Sequence, residues 1–223
     1  NHVWPEGLLE SAADLAAALK VDPEGRVDRR DLVTIAIDDQ YTTEVDDALA
    51  LEDNGDGSST VHVFIADVAA AVPLEHPVER EAARRMATLY LPEVKTQMLP
   101  EIICEEAASL KAGVDRLAMD FALTVADGQI TGIEVAECIC HVDRRVTYDQ
   151  TDDVLLRGAD HPDAELIKGL FALSEVLRAR RREGGSITLD RQEMNVHIED
   201  GVLLAEPFRT DDPGRRLVAE WMI

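Results

Sequence analysis

An α+β fold is predicted by how strand and helix signals are grouped along the chain. Strand-like runs gather at 32–66, 115–146 and 186–208, and amphipathic helical stretches fall between these groups. Neighbouring strands are joined through Asn-Gly and Asp-Gly turns rather than through helices, so the βαβ alternation of a parallel sheet is missing.

The first element is a helix in EGLLESAADLAAALKV, where Leu8, Leu9, Ala12, Leu15, Ala16 and Leu19 fall at helical spacing. PEGRVDRRDL follows and reads as a linker. The apolar, β-rich LVTIAI at 32–37 is a buried strand, interrupted by IDDQYTTEVDD before ALALE resumes. DNGDGSS, between ALALE and TVHVFIADVAAAV, is a hairpin turn. Glu52, Asn54, Asp56 and Gly57 imitate the start of a calcium loop, but Val63 stands where such a loop requires a bidentate Glu. Residues 78–90 read as a helix stopped by Leu91-Pro92. From Asp115 to Val146 the pattern returns to strands, with Asp127-Gly128 at a turn. Residues 163–182 form an amphipathic helix closed by Gly184-Gly185, and its RARRR tail suits the negative end of the helix dipole. A further hairpin, SITLDRQEMNVHIEDGVLLAEPF, leads into a terminal helix, GRRLVAEWMI.

Composition sets the outer limits. A chain of 223 residues with 46% hydrophobic residues builds one sizeable core. No apolar run approaches the roughly 18 residues of a membrane span, and no basic-then-apolar leader opens the chain. A cytoplasmic protein without membrane contact is expected. The chain starts at Asn1 and stops inside a helical pattern, so a piece of a longer protein is expected. Cys104, Cys138 and Cys140 lack the spacing of a zinc site and read as buried free thiols. The net charge of −23 speaks against nucleic acid, because such binders usually neutralise phosphates with a basic surface. Composition alone argues against RNA; any case for RNA has to come from motifs.

The residues that stand out are Asp38, Asp39, Glu44, Asp46 and Asp47, entered from an apolar strand and left through Ala48-Leu49-Ala50-Leu51. Glu44 and Asp46 project to one side in extended backbone, and a turn in QYTT returns Asp38 to that side. Crowded like charges are costly without a cation, and Mg²⁺ takes oxygen ligands. By spacing alone a cation site and a polar turn with scattered acids are evenly matched.

IAIDDQYTTEVDDALALE resembles the signature of the ribonuclease II/R family. In order after it, VFIADVAAAV is similar to the family's IADV segment, TLYLPEVKTQMLP to its YLP…MLP segment and AASL to its CSL segment. DRLAMDFALTVADGQI is similar to its following strand pair, VTYDQ to its helix-leading YDQ and RRLVAEWMI to the start of its long helix. The likeness runs over roughly residues 30–223. It implies an RNB-type catalytic fold with mixed and antiparallel sheets flanked by helices. Residues 31–223 would be the N-terminal two-thirds of that catalytic domain, and 1–30 a helical segment or the end of a preceding domain with its linker. It further implies processive 3′-to-5′ hydrolysis of single-stranded RNA to nucleoside 5′-monophosphates, with Mg²⁺ or alternatively Mn²⁺. By position, Asp38, Glu44, Asp46 and Asp47 correspond to the family's metal-holding carboxylates, and Asp46 to the one most critical for chemistry. Tyr90 corresponds to the aromatic that stacks on the terminal nucleotide, with core packing before Pro92 as the plain alternative. Glu220 corresponds to an acid near the 3′-terminal ribose, with an ordinary exposed helix glutamate as the plain alternative.

Two departures qualify the likeness. Glu44 stands where the family has Asp, one methylene further out. The family's SPxRRYxD segment, whose arginine contacts the scissile phosphate, is absent, and so are the flanking RNA-binding barrels. The remainder of a parent protein is expected to supply them. The competing functions are a catalytically reduced RNA-binding or regulatory module that keeps the fold, and a metal-dependent phosphatase or DNase with a similar acid cluster.

Overall fold

The computed structural model describes residues 3–91, 94–187, 192–199, 202–209 and 211–222. The chain runs α1 (Leu8–Ala18), β1 (Val27–Asp28), β2 (Thr34–Asp38), β3 (Asp47–Asp53) and β4 (Ser59–Ala66), then two short helices, α2 (Val68–Ala71) and α3 (Pro77–Arg85). A small ribbon of β5 (Leu89–Tyr90) and β6 (Lys95–Thr96) leads to a π-helical turn, Ile102–Ala107. A long hairpin of β7 (Asp115–Ala126) and β8 (Gln129–His141) is followed by β9 (Arg144–Thr147), α4 (Tyr148–Arg157) and α5 (Ala164–Glu183). The hairpin β10 (Gln192–Glu199) and β11 (Val202–Arg209) precedes the last helix, α6 (Pro213–Trp221). This is the expected α+β arrangement: a mostly antiparallel sheet flanked by helices.

The main sheet has the strand order β1-β8-β7-β4-β3-β2-β9. Pairing is antiparallel except at the two ends, where β1 lies parallel to β8 and β9 parallel to β2. Alternation of side chains sorts the two faces. Ile35, Ile37, Leu49, Val61 and Val63 point to one face, where Val154, Ile167, Leu170, Leu217 and Trp221 of α4, α5 and α6 bury them. Ala36, Ala48, Ala50, Phe64, Ala118, Cys138 and Cys140 point to the other. The small residues there let the irregular chain at Val45, Leu110 and Val142 pack directly on the sheet. A third cluster joins α1 to α2, α3 and the π-helical turn through Leu8, Ala12, Val78, Ala82 and Ile103.

Two sequence expectations are corrected. The stretch read as a linker carries β1, and its arginines bind the sheet: Arg26 pairs with Asp67 at 2.6 Å and Arg29 with the buried Asp120 at 2.8 Å. The helix expected over 78–90 ends at Arg85. Met86 adopts a left-handed φ of 70° and the chain turns away. Leu89 and Tyr90 then find ladder partners in Thr96 and Lys95, and the Met98 N–H donates to Thr88 Oγ at 3.1 Å. These bonds satisfy backbone and hydroxyl groups that helical periodicity takes no account of.

Asp127 and Gly128, expected at a turn, both have positive φ (50° and 67°), as a type I′ hairpin requires. A β-carbon on Gly128 would lie 2.6 Å from Val176 Cγ1 of α5. Gly128→Ala is therefore expected to lower stability by about 1–3 kcal/mol, from the left-handed backbone and the clash together. A urea titration measures it.

Candidate active site

The carboxylates sit where β2 ends and β3 begins. Asp38 closes β2 and is aligned with Thr147 of β9; Asp47 opens β3 opposite Ile65 of β4. The connecting loop is pinned at its centre. The Val45 N–H donates to the buried Ser109 Oγ at 3.0 Å, and the Val45 carbonyl accepts from Leu110 N–H at 2.8 Å. The Asp46 carbonyl accepts from Ala66 N–H at 2.9 Å. These three bonds hold the acids in place, and two of them come from the AASL segment. Ser109→Ala leaves a buried amide without a partner and is expected to cost about 1–3 kcal/mol. Thermal denaturation checks it.

Asp38, Asp46 and Asp47 act on one another. Burial pushes Asp38 up to about 6, and Asp46 and Asp39 push the same way against the opposing charge of Arg145. Burial also pushes Asp47 up to about 6, helped by Asp38 and Asp46. Asp46 is raised by burial and by Glu44. Charged carboxylates held this close, and partly withdrawn from water, are destabilising until a cation joins them. The donor set is all oxygen, which suits a hard divalent cation. Among the described residues, however, no three His, Cys, Asp or Glu side chains already converge on a shared coordination point.

Glu44 lies in a different environment. Its Oε1 accepts from Lys95 Nζ at 2.8 Å, Cys104 Sγ at 3.0 Å and Gln97 Nε2 at 3.3 Å. Its Oε2 accepts from the Tyr90 hydroxyl at 3.1 Å. Burial alone would raise this carboxyl, but the bonds from Cys104, Lys95 and Tyr90 outweigh it and leave it below its ordinary value. Tyr90 is mostly exposed, with Lys95 Nζ 5.6 Å from its ring centroid. Its phenol is pushed up to about 12 by burial of the hydroxyl and by the Glu44 charge. The structure thus brings Asp38, Glu44, Asp46, Asp47 and Tyr90 into one neighbourhood. Glu220 is placed differently: on α6 it is ion-paired with Arg181 of α5, its side chain only 7% exposed, so it is not the exposed helix residue allowed for above.

Several residues at the site were not singled out from sequence. Tyr148, the first residue of α4, is pushed up to about 12 by burial and by Asp38, Asp47 and Asp39. Arg215 lies over its ring at 4.3 Å and pairs with Asp39 at 3.2 Å. The close approach of α6 that allows this depends on Gly214, where a β-carbon would meet the Tyr148 carbonyl at 3.1 Å. Arg145 donates to the Asp39 carbonyl. Cys104 is not the fully buried thiol expected; it is half-buried and faces Glu44, whereas Cys138 and Cys140 are buried and free as expected. The VTYDQ and YLP…MLP segments held the signal for Tyr148 and Lys95, but only as unassigned motif positions. On a chain of net charge −23, Lys95, Arg145 and Arg215 gather cations around the acids.

The model of the RNB domain matches residues 26–223. The chain belongs to the RNB-domain family. This RNB domain is 32% identical to the ribonuclease R of Escherichia coli over 231 aligned positions, covering all of the chain and 28% of that relative. Its fold is similar to that of Mycoplasma genitalium ribonuclease R in complex with ribose-methylated single-stranded RNA (TM-score 0.89, 21% identity), covering 99% of the chain and 35% of that protein. It is also similar to a yeast pseudonuclease (TM-score 0.65, 20% identity), over 74% of the chain and 20% of that protein. The chain thus spans about a third or less of each relative's length. A pseudonuclease with a similar fold shows that an RNB-like fold alone does not settle activity.

Proposed function

We propose that this chain provides most of the active site of a divalent-cation-dependent exoribonuclease that degrades single-stranded RNA from its 3′ end, processively, to nucleoside 5′-monophosphates. The observation that carries the proposal is the set Asp38, Asp46 and Asp47, crowded at adjoining strand ends so that Asp46 raises the pKa of Asp38 and both raise that of Asp47, beside an exposed tyrosine, in a chain of the RNB-domain family. Mg²⁺ is the proposed cation, with Mn²⁺ as its substitute. The cation supplies Lewis-acid stabilisation of the phosphoryl oxygens and of the departing 3′-oxygen. Asp38 and Asp47 hold it. Asp46 takes the proton of the attacking water as the new P–O bond forms and the bond to the 3′-oxygen of the preceding nucleotide breaks. Tyr90 stacks on the terminal base, an interaction worth roughly 1–3 kcal/mol that does not depend on base identity. Glu220, whose carboxylate pairs with Arg181, is assigned to the terminal ribose on the family likeness alone. The remainder of the parent protein supplies the arginine for the scissile phosphate and the RNA-binding surface. The setting is cytoplasmic; among the described residues no helix is long and apolar enough to cross a membrane.

A second reading, a non-catalytic RNA-binding module, draws on the commitment of Glu44 to Lys95 and on the lack of a closed ligand set among the described residues. Three crowded aspartates, two of them raised to about 6, argue against it, because binding alone does not require them. Incubating the parent protein with 5′-labelled and 3′-labelled single-stranded RNA and Mg²⁺ separates the two. The proposal expects the 3′ label to leave first, as a mononucleotide, and the 5′ label to pass from full-length RNA to a short end product without a build-up of intermediates. Bound but intact RNA supports the second reading.

A further inference from the structure

Glu44 is the acid of the cluster with the most donors on it. Lys95, Cys104 and Gln97 crowd its Oε1, and the Tyr90 hydroxyl takes one of the two acceptor positions of Oε2. All four donors come from one stretch of chain, Tyr90 to Cys104, running from the β5–β6 ribbon into the π-helical turn. Lys95 is itself held between Glu44 and Glu105, 2.8 and 2.9 Å away. A divalent cation on Glu44 Oε1 would stand beside that ammonium, and on Oε2 it would share the oxygen with the tyrosine hydroxyl. A carboxylate already paired with one cation is a poorer seat for a second.

Tyr90, by contrast, has little else to fix it. It ends a two-residue strand and its side chain is largely in solvent. An aromatic in that position loses side-chain freedom when it binds a base, unless its ring is already oriented. The only side-chain hydrogen bond of Tyr90 among the described residues runs to Glu44. Lys95 lies towards the ring and is tied to the same carboxylate.

We infer that Glu44 is a positioning residue: through Lys95 and the Tyr90 hydroxyl it holds the Tyr90 ring as a preformed platform for an RNA base, and it is not a cation ligand. This rests on the function proposed above and deepens it, leaving Asp38 and Asp47 to hold the cation and Asp46 to take the proton.

The test uses the parent protein and two probes: Mn²⁺ followed by electron paramagnetic resonance, and a fluorescein-labelled oligoadenylate followed by anisotropy. Glu44→Gln is expected to bind Mn²⁺ within about twofold of wild type, while Asp47→Asn loses about tenfold or more. Oligoadenylate binding by Glu44→Gln and by Tyr90→Phe is expected to weaken about five- to tenfold each, a part of what base stacking is worth. In turnover the loss should appear in KM rather than kcat. The double variant should bind RNA no worse than either single one, because both act through the same ring. Glu44→Asp, one methylene short of Tyr90, should show the RNA defect with unchanged Mn²⁺ affinity. Glu44→Gln losing Mn²⁺ as Asp47→Asn does, or Glu44→Asp binding Mn²⁺ more tightly than wild type, would overturn the inference. So would strictly additive effects of Glu44→Gln and Tyr90→Phe on RNA. Failure of wild type itself to bind Mn²⁺ removes the proposed function instead. The platform is then judged on the anisotropy cycle alone.

Discussion

Replacing Asp47 by asparagine is expected to lower hydrolysis by about a thousandfold while leaving the cation-free protein more stable than wild type at pH 7.5. The first half follows from the proposed role. A cation's contribution to a phosphoryl transition state is worth several kcal/mol, and each 1.36 kcal/mol is a factor of ten in rate. The second half follows from the sign of the shift. Asp47 titrates at about 6 in the folded protein, against an ordinary value of 3.8, because it is buried and faces Asp38 and Asp46. Between those two values the folded state binds more protons than the unfolded one, so stability falls as pH rises through the window. Above about 6 the penalty is complete; below about 3.8 it is absent. Asparagine removes the charge and with it the penalty, on the order of 1 kcal/mol once solvent screening is allowed for. The gain in melting temperature should therefore be clear at pH 7.5 and vanish near pH 4. Added Mg²⁺ should stabilise wild type more at pH 7.5 than at pH 5, since binding to the folded state alone raises stability and needs ionised ligands. An Asp47→Asn variant less stable than wild type at pH 7.5 would mean that the acid is held by bonds rather than strained by its neighbours.

Asp120→Ala is expected to have the largest effect on folding, a loss of about 3–5 kcal/mol. Asp120 is buried in β7 and accepts from both Arg29 Nε at 2.8 Å and His62 Nδ1 at 3.0 Å. Removing it leaves a guanidinium and a buried imidazole without their shared partner, which costs far more than the pair contributes net. Arg29 also donates its N–H to the Ile139 carbonyl, so the loss should propagate to β1 and the sheet edge it covers. Urea denaturation followed by circular dichroism gives the size, and hydrogen exchange at residues 26–30 gives the location. The opposite signs of the Asp47 and Asp120 variants would distinguish an acid kept for chemistry from one kept for structure.

The two aspartates also show how far sequence carries. The first helix, the 163–182 helix, the hairpin turns at Asp53–Ser59 and Asp127-Gly128, and the buried Ile-Ala-Ile and Ala-Leu-Ala-Leu strands follow from local periodicity and turn chemistry, and the structure has them where expected. The acid cluster is equally local: Asp38 to Asp47 lie within one strand–loop–strand. What surrounds it is not local. Tyr90 reaches Glu44 across 46 residues, Cys104 across 60, and Arg215 reaches Asp39 across 176. Such contacts depend on how the sheet and helices pack, and no spacing rule announces them. For the same reason nothing in the sequence marks Asp120 as buried, and the Arg26–Arg30 stretch reads as a linker. The helix overextended to Tyr90 failed at Met86, a left-handed residue with no sequence mark such as glycine would give.

The claim that these aspartates form a cation-dependent nuclease site is tested most directly by mononucleotide release from single-stranded RNA. Release should be followed across a Mg²⁺ titration of metal-stripped parent protein, for wild type and for Asp46→Asn. The account predicts that wild type releases nothing without metal and gains rate with Mg²⁺ to saturation, and that Asp46→Asn stays near background throughout. Release by wild type without metal, or full activity of Asp46→Asn, would contradict it.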